Sequence, residues 1–266
     1  MEARLGMIGV GNMGQAILRG AIEAGLLTPD EVIAVDVDGR RRDEAAALGC
    51  RVSADPAEVV GATQCILAVK PQYFADVAAA LRPLPSSRVV ISIMAGLSSL
   101  SIRRALGDEA RVVRVMPNTP CQVGAGMSAI ALGAGASPGD EAFAASILGA
   151  IGRTVVVDES MMHAVTAVSG SGPAYVFLLA EAMTQAGEEL GLDPAVARLL
   201  VQQTILGAGR LLVESDGDPS ILRQAVTSRG GTTEAAIETM LDGELPQIVM
   251  KGVRAARDRG AALDRA

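Results

Sequence analysis

Three glycines at a fixed spacing, Gly9-x-Gly11-x-x-Gly14, follow the apolar run "RLGMIGV" (4–10) and open the helical pattern "NMGQAILRGAIEAG" (12–25). The chemistry open to such a turn is phosphate binding. Gly9 permits the tight turn, Gly11 lets a pyrophosphate approach the main chain, and Gly14 lets the helix pack closely on the strand. The helix start adds free N–H groups and the positive end of a dipole. Inside a strand–helix–strand unit this spacing points to a dinucleotide. The plainer alternative is a tight strand-to-helix turn that binds nothing.

Four further stretches end apolar runs and fall on the edge where such sheets hold ligands. The second run ends in "VDVDGRRR" (35–42), and Asp36 stands where an acidic residue accepts hydrogen bonds from an adenosine ribose and excludes a 2′-phosphate. Arg40, Arg41 and Arg42 follow, and any of them could reach a 2′-phosphate or could simply begin a solvated helix, so NADH and NADPH both stay open. "AVKPQ" (68–72) carries Lys70, one of only two lysines. Cofactor proximity suits it better than proton transfer, because a lysine base needs burial to lower its pKa. "MAG" (94–96) and "MPNTP" (116–120) end later runs and would line the nicotinamide.

The second half holds two Ser/Thr/Gly turns that lead into helical patterns, "VSGSGPAY" (168–175) and "VTSRGGTTE" (226–234). Neither has a nucleophile elbow. What they offer is hydrogen-bond donation, which suits a carboxylate or a developing negative charge. Ordinary helix capping is the alternative, and Glu234 in the first turn would compete with an anion. Tyr175 reads as a half-buried helix residue, His163 as a partnered histidine, and Met161 and Met162 as core.

The elements that must position these residues follow from hydrophobic pattern. Strands are expected at 4–10, 31–37, 64–70, 88–94, 110–116, 126–132 and 154–159, as continuous apolar runs that suit strands covered on both faces. Helical patterns lie between most of them, including 71–83 and 137–152, and this alternation predicts an α/β doubly wound sheet. After about residue 160 the strand signal fades, and helices are expected at 172–192, 193–215, 218–226, 232–243 and 244–260. Their wide apolar faces predict burial against another subunit. The expected domains are therefore 1–160, binding NAD(P), and 161–266, an all-α substrate-binding and dimerisation domain.

Bulk composition excludes several classes. The 266 residues are 50% hydrophobic and carry a net charge of −7, so the chain can bury a sizeable core and lacks a nucleic-acid footprint. Apolar stretches are broken by Gly or charge, so no transmembrane span is expected. "MEARLGMIGVG" enters a strand directly, which leaves no signal peptide to be read, and a cytoplasmic protein is expected. Three scattered cysteines and a single histidine argue against a disulfide framework, a metal site and a His-based triad.

Taken together and in order, "GMIGVGNMGQAI", "AVKPQ", "MPNTP", "AVSGSGPAY" and "VTSRGGTT" resemble pyrroline-5-carboxylate reductases over nearly the whole chain. The two later stretches are the specific ones. The resemblance implies an NAD(P)H-dependent oxidoreductase that reduces the C=N bond of 1-pyrroline-5-carboxylate to L-proline, the last step of proline biosynthesis. It implies a Rossmann-type domain and an interlocking helical domain in a homodimer, often assembled further into a decamer. It places Ile8, Gly9, Val10, Gly11, Asn12, Met13, Gly14, Asp36, Asp55, Ala68, Val69, Lys70, Pro71, Met94, Ala95, Gly96 and Asn118 at the cofactor. It puts Ser228, Thr232 and Thr233 on the substrate carboxylate, with Thr233, near the ring nitrogen, as the catalytic residue. Two departures stand out: Arg229 replaces a common Pro, and Asp55 replaces a common Asn on the adenosine side. Rival readings are another two-domain hydride-transfer enzyme, acting on a different imine or on a β-hydroxyacid, the latter disfavoured because Lys251 is the only lysine in the helical half, and a non-enzymatic nucleotide sensor.

Overall fold

The computed structural model describes residues 3–82, 84, 88–215 and 218–264. Its strands are β1 Leu5–Ile8, β2 Val32–Val35, β3 Arg51–Ser53, β4 Gln64–Leu67, β5 Val89–Ser92, β6 Arg111–Met116, β7 Gly126–Leu132 and β8 Gly152–Val156. They form one sheet in the order β3-β2-β1-β4-β5-β6-β7-β8. The first six strands run parallel; β7 turns back against β6, and β8 runs parallel to β7. The reversal has a simple cause. Only residues 117–125, built around the 3-10 turn Thr119–Val123, separate β6 from β7, whereas a parallel return needs a crossover of about a dozen residues or more. The sequence predicts every strand except β3, whose three residues include exposed Arg51 and Val52 and carry no apolar run.

Helices cover both faces. α1 Asn12–Glu23 and α5 Ala142–Gly149 bury Ile17, Leu18, Ala144 and Ile147 on one side. Phe74, Val77, Ile102 and Leu106 of α3 Phe74–Leu81 and α4 Ser99–Leu106 fill the other. Alternate strand residues feed the two cores: Met7 and Val113 point to the first, Ile8 and Val112 to the second. A strand buried on both faces has no polar side, which is why its sequence reads as a continuous apolar run. α2 Gly39–Ala46 follows β2. The expected helix over 71–83 is a 3-10 turn, Pro71–Tyr73, and then α3; residue 83 lies outside the described residues. This is the doubly wound arrangement with its order reversal between β1 and β4.

The helical half comprises the short α6 Met162–Val165, a widened π-type turn Thr166–Gly170, and α7 Gly172–Glu189, α8 Pro194–Glu214, α9 Pro219–Ala225, α10 Thr232–Asp242 and α11 Leu245–Leu263. Pro194 and Pro219 sit at first helical positions, where a missing N–H costs little. Asp193 and Asp218 cap the same helices. The chain divides into two compact units: residues up to Ser171 together with those from Ala256 onward, and Gly172–Ala255. That division falls eleven positions beyond residue 160, because α6 and the π-type turn pack with the sheet, Met162 joining Ala129 and Ala131. Met161 is exposed, not core. Pro194–Glu214 is, by length and composition alone, apolar enough to cross a membrane. Arg198, Gly207, Gly209 and Arg210 interrupt it, which is why no such span is read from the sequence.

Candidate active site

The glycine loop joins β1 to α1 at the order reversal. Gly9 has φ +94°, and a Cβ there would lie 2.6 Å from the main-chain carbon and oxygen of Ala68, so β1 and β4 end in direct contact. A Cβ at Gly14 would lie 2.5 Å from the Gly9 carbonyl oxygen. Both glycines are demanded by protein packing. Gly11 is different: a Cβ there would meet nothing within 4 Å. No neighbour requires glycine at that place, so the open space above the main chain suits an approaching phosphate. The N–H groups of Gly11, Asn12 and Met13 donate to no acceptor among the described residues, and α1 has no acidic residue in its first turn. The residues fit a pyrophosphate.

The other expected cofactor residues follow strand ends on the same edge. Asp36 follows β2 and accepts from Val10 N–H at 2.8 Å and from Asp38 N–H at 3.0 Å. Arg42 donates to the main-chain oxygens of Asp36 and Val37, at 2.7 and 3.0 Å, and Arg41 pairs with Glu44 at 3.4 Å. Arg40 keeps an exposed side chain with no partner among the described residues. Asp55 follows β3 and caps the 3-10 turn Pro56–Gly61 through Ala57 N–H at 2.9 Å. Ala68, Val69, Lys70 and Pro71 follow β4, and Lys70 is exposed, which does not suit a lysine base. Met94, Ala95 and Gly96 follow β5, with Gly96 at φ +72°.

Asn118 follows β6 but faces the protein. Its Oδ1 accepts from Met127 N–H at 2.9 Å, and its amide donates to the carbonyl and hydroxyl oxygens of Ser169, at 3.3 and 3.4 Å. The "SGSG" stretch thus docks on the sheet edge. A Cβ at Gly170 would run into Met116 Cε, and Ser171 N–H closes the widened turn onto the Thr166 oxygen at 2.8 Å. Such turns recur at functional sites. Tyr175 lies half-buried in the first turns of α7, and His163 pairs with Asp264 at 3.4 Å.

A half-buried charge cluster escapes the sequence reading. Glu159 accepts from Ser99 N–H at 2.8 Å, from Ser99 Oγ–H at 2.5 Å and from Arg114 at 3.1 Å. The Ser99 hydroxyl oxygen also accepts from Ala134 N–H at 2.8 Å. Burial alone would raise the Glu159 carboxyl, but Ser99 and Arg114 outweigh it and hold the group below its ordinary 4.5. The cluster pins the start of α4, directly after the Met94–Gly96 turn. Its one signal in sequence is Arg114, a lone charge inside a buried strand, which must find a partner.

In the second unit, Ser228, Thr232 and Thr233 meet at the start of α10. Gly230 takes φ +71°, Gly231 N–H donates to the Ser228 main-chain oxygen at 3.0 Å, and Gly231 occupies the N-cap without a side-chain cap. The hydroxyls of Ser228, Thr232 and Thr233 and the N–H groups of Thr232 and Thr233 have no partner among the described residues. Glu234 does enter this field, since it accepts from Gly230 N–H at 2.6 Å. It holds the turn and leaves the donors of Thr232 and Thr233 free. Arg229 is exposed beside them.

Two family models match the chain: Pyrroline-5-carboxylate reductase dimerisation over residues 159–263, and NADP oxidoreductase coenzyme F420-dependent over residues 4–96. The pyrroline-5-carboxylate reductase of Synechocystis sp. is 41% identical over 99% of both chains. That of Arabidopsis thaliana is 36% identical over 98% of this chain and 95% of its own. Among solved structures, the Coxiella burnetii pyrroline-5-carboxylate reductase superposes with TM-score 0.91 at 34% identity, covering 100% of both chains. The Plasmodium falciparum pyrroline carboxylate reductase, solved with NADP bound, gives 0.88 at 28% identity over 98% of each. With relatives this similar along its whole length, the chain belongs to the pyrroline-5-carboxylate reductase family.

Proposed function

We propose that this chain reduces 1-pyrroline-5-carboxylate to L-proline with NADH or NADPH, as the last step of proline biosynthesis in the cytoplasm. The observation that carries the reading is the chain-long likeness to curated reductases, 41% identical over 265 residues in one case. The local chemistry agrees with it. When bound, a reduced nicotinamide supplies the hydride for the imine carbon. The chain's own residues bind and orient. Residues 1–160 form the cofactor-binding domain, with Ile8–Gly14, Asp36, Asp55, Ala68–Pro71 and Met94–Gly96 at the cofactor and Asn118 holding the nicotinamide edge through Ser169. Residues 161–266 form the substrate-binding and dimerisation domain.

Within that domain, Ser228, Thr232 and Thr233 take the substrate carboxylate on free hydroxyls and N–H groups at the positive end of α10. Thr233 also stands nearest the ring nitrogen and is the catalytic residue. A protonated cyclic imine is already electrophilic. Orientation can then supply most of the rate, on the order of 7–11 kcal/mol, and a site without His, Cys or metal chemistry is coherent. Apolar α8 faces a partner subunit rather than lipid, and dimers assemble further into a decamer. The test is oxidation of NADH and of NADPH with racemic pyrroline-5-carboxylate. Imine-dependent turnover is expected; cofactor binding without it would sink the activity.

A further inference from the structure

We infer that this edge is built for a dinucleotide without a 2′-phosphate, and that Asp36 is its specificity-determining residue; the inference rests on reading the edge as the NAD(P)H site. A carboxylate has about four lone-pair positions. Asp36 spends one on each oxygen, on Val10 N–H at 2.8 Å and Asp38 N–H at 3.0 Å. One position on each oxygen remains, which matches a vicinal diol that donates two hydrogen bonds. The two main-chain donors also fix the carboxylate, one from the glycine loop and one from the segment after β2. Swinging it away from a phosphate would break two charge-assisted bonds, which are about twice as strong as neutral ones.

Of the three arginines that follow, two are held by the protein, and one of these, Arg42, is held beside Asp36 itself. Arg42 is held by the main-chain oxygens of Asp36 and Val37, and Arg41 by Glu44. Arg40 alone is uncommitted, and it is exposed, where screening by water and salt weakens its pull. A second carboxylate, Asp55, stands at the end of the neighbouring strand, since β2 and β3 pair as far as Val35 and Ser53. A 2′-phosphate brings about −1.5 to −2 charges to an edge where two fixed carboxylates outnumber the one fixed guanidinium, that of Arg42.

The test is calorimetric binding of NAD⁺ and NADP⁺ to the intact protein, beside initial rates with NADH and NADPH. Wild type is expected to bind NAD⁺ at least about tenfold more tightly, a difference of ~1.4 kcal/mol. Asp36→Asn keeps the shape and one acceptor but removes the charge, and should bring the ratio close to one. Arg40→Ala isolates the remaining cation and should leave the preference for NAD⁺ in place. Equal or tighter binding of NADP⁺ by wild type, or a ratio unchanged in Asp36→Asn, overturns the inference. A marked loss of NADP⁺ binding in Arg40→Ala does the same. Imine turnover alongside NADP⁺ preference would leave the reductase reading standing, whereas NAD⁺ preference without imine turnover would remove that reading and keep this one.

Discussion

Helix α3 buries Phe74, Val77, Ala78 and Leu81 against the sheet, whereas α7, more than twice as long, buries none of its residues. α8 buries only Ala197 and Val201, and α9, α10 and α11 bury nothing. Yet these helices are not polar. Phe177, Leu178, Leu199 and Val213 are all more than 60% exposed. The first unit closes its core with its own chain. The second leaves wide apolar faces uncovered by its own chain, in keeping with the dimerisation family it matches. Covering one such side chain is worth about 1.5–3 kcal/mol, so the apolar faces together can drive a permanent dimer.

The sharpest way to break this contrast is a charge on each side of it. Leu199→Asp should dissociate the protein and abolish activity, while Leu100→Asp, at an exposed position of α4 in the first unit, should alter neither. Sedimentation and turnover report both. If the Leu199 variant sediments as wild type, the second unit does not depend on a partner at that face. The melting temperature of the wild type should also rise with protein concentration, as it does when association stabilises the fold.

Within the first unit, the glycines separate folding from binding. Gly9→Ala forces a Cβ against Ala68 at φ +94° and should lower both stability and soluble yield. Gly11→Ala meets no protein atom within 4 Å. It should melt as wild type yet bind cofactor at least about tenfold more weakly, by calorimetry. Unchanged affinity there would remove the phosphate from the loop.

Glu159→Ala leaves the buried Arg114 without its partner and should cost about 3–5 kcal/mol in denaturant melts. The wild-type carboxyl titrates below 4.5 in the folded chain. Its contribution is therefore complete above that pH and fades as the pH falls through the folded value. Glu159→Gln should flatten that acid limb; an identical limb in both proteins would assign the acid sensitivity to other groups. The smallest effect is expected in the second unit's turn. Arg229→Glu should raise the KM for the imine about tenfold, or ~1.4 kcal/mol, with little change in kcat.

The strand-end turns on this edge were legible because their pattern is local. Gly9, Gly11, Gly14 and Asp36 announce themselves by type and by distance from a strand end. The Glu159 cluster was not, because its members stand 45 and 60 positions apart along the chain. Nor did Asn118 read as a strap: "MPNTP" reads as a strand end lining the nicotinamide, and Ser169 reaches Asn118 through folding alone.

By itself, the sequence determined the alternation of strands and helices, the position of the glycine loop and the apolar excess of the helical half. Each of these depends on neighbours within a few turns of the chain. The tertiary structure decided what depends on residues far apart. It set the fixing of Asp36 by Val10, the pairing of Arg114 with Glu159, and the exposure of α7 and α8. Hydrogen-bond partners and burial are properties of the packed chain, and no local pattern contains them.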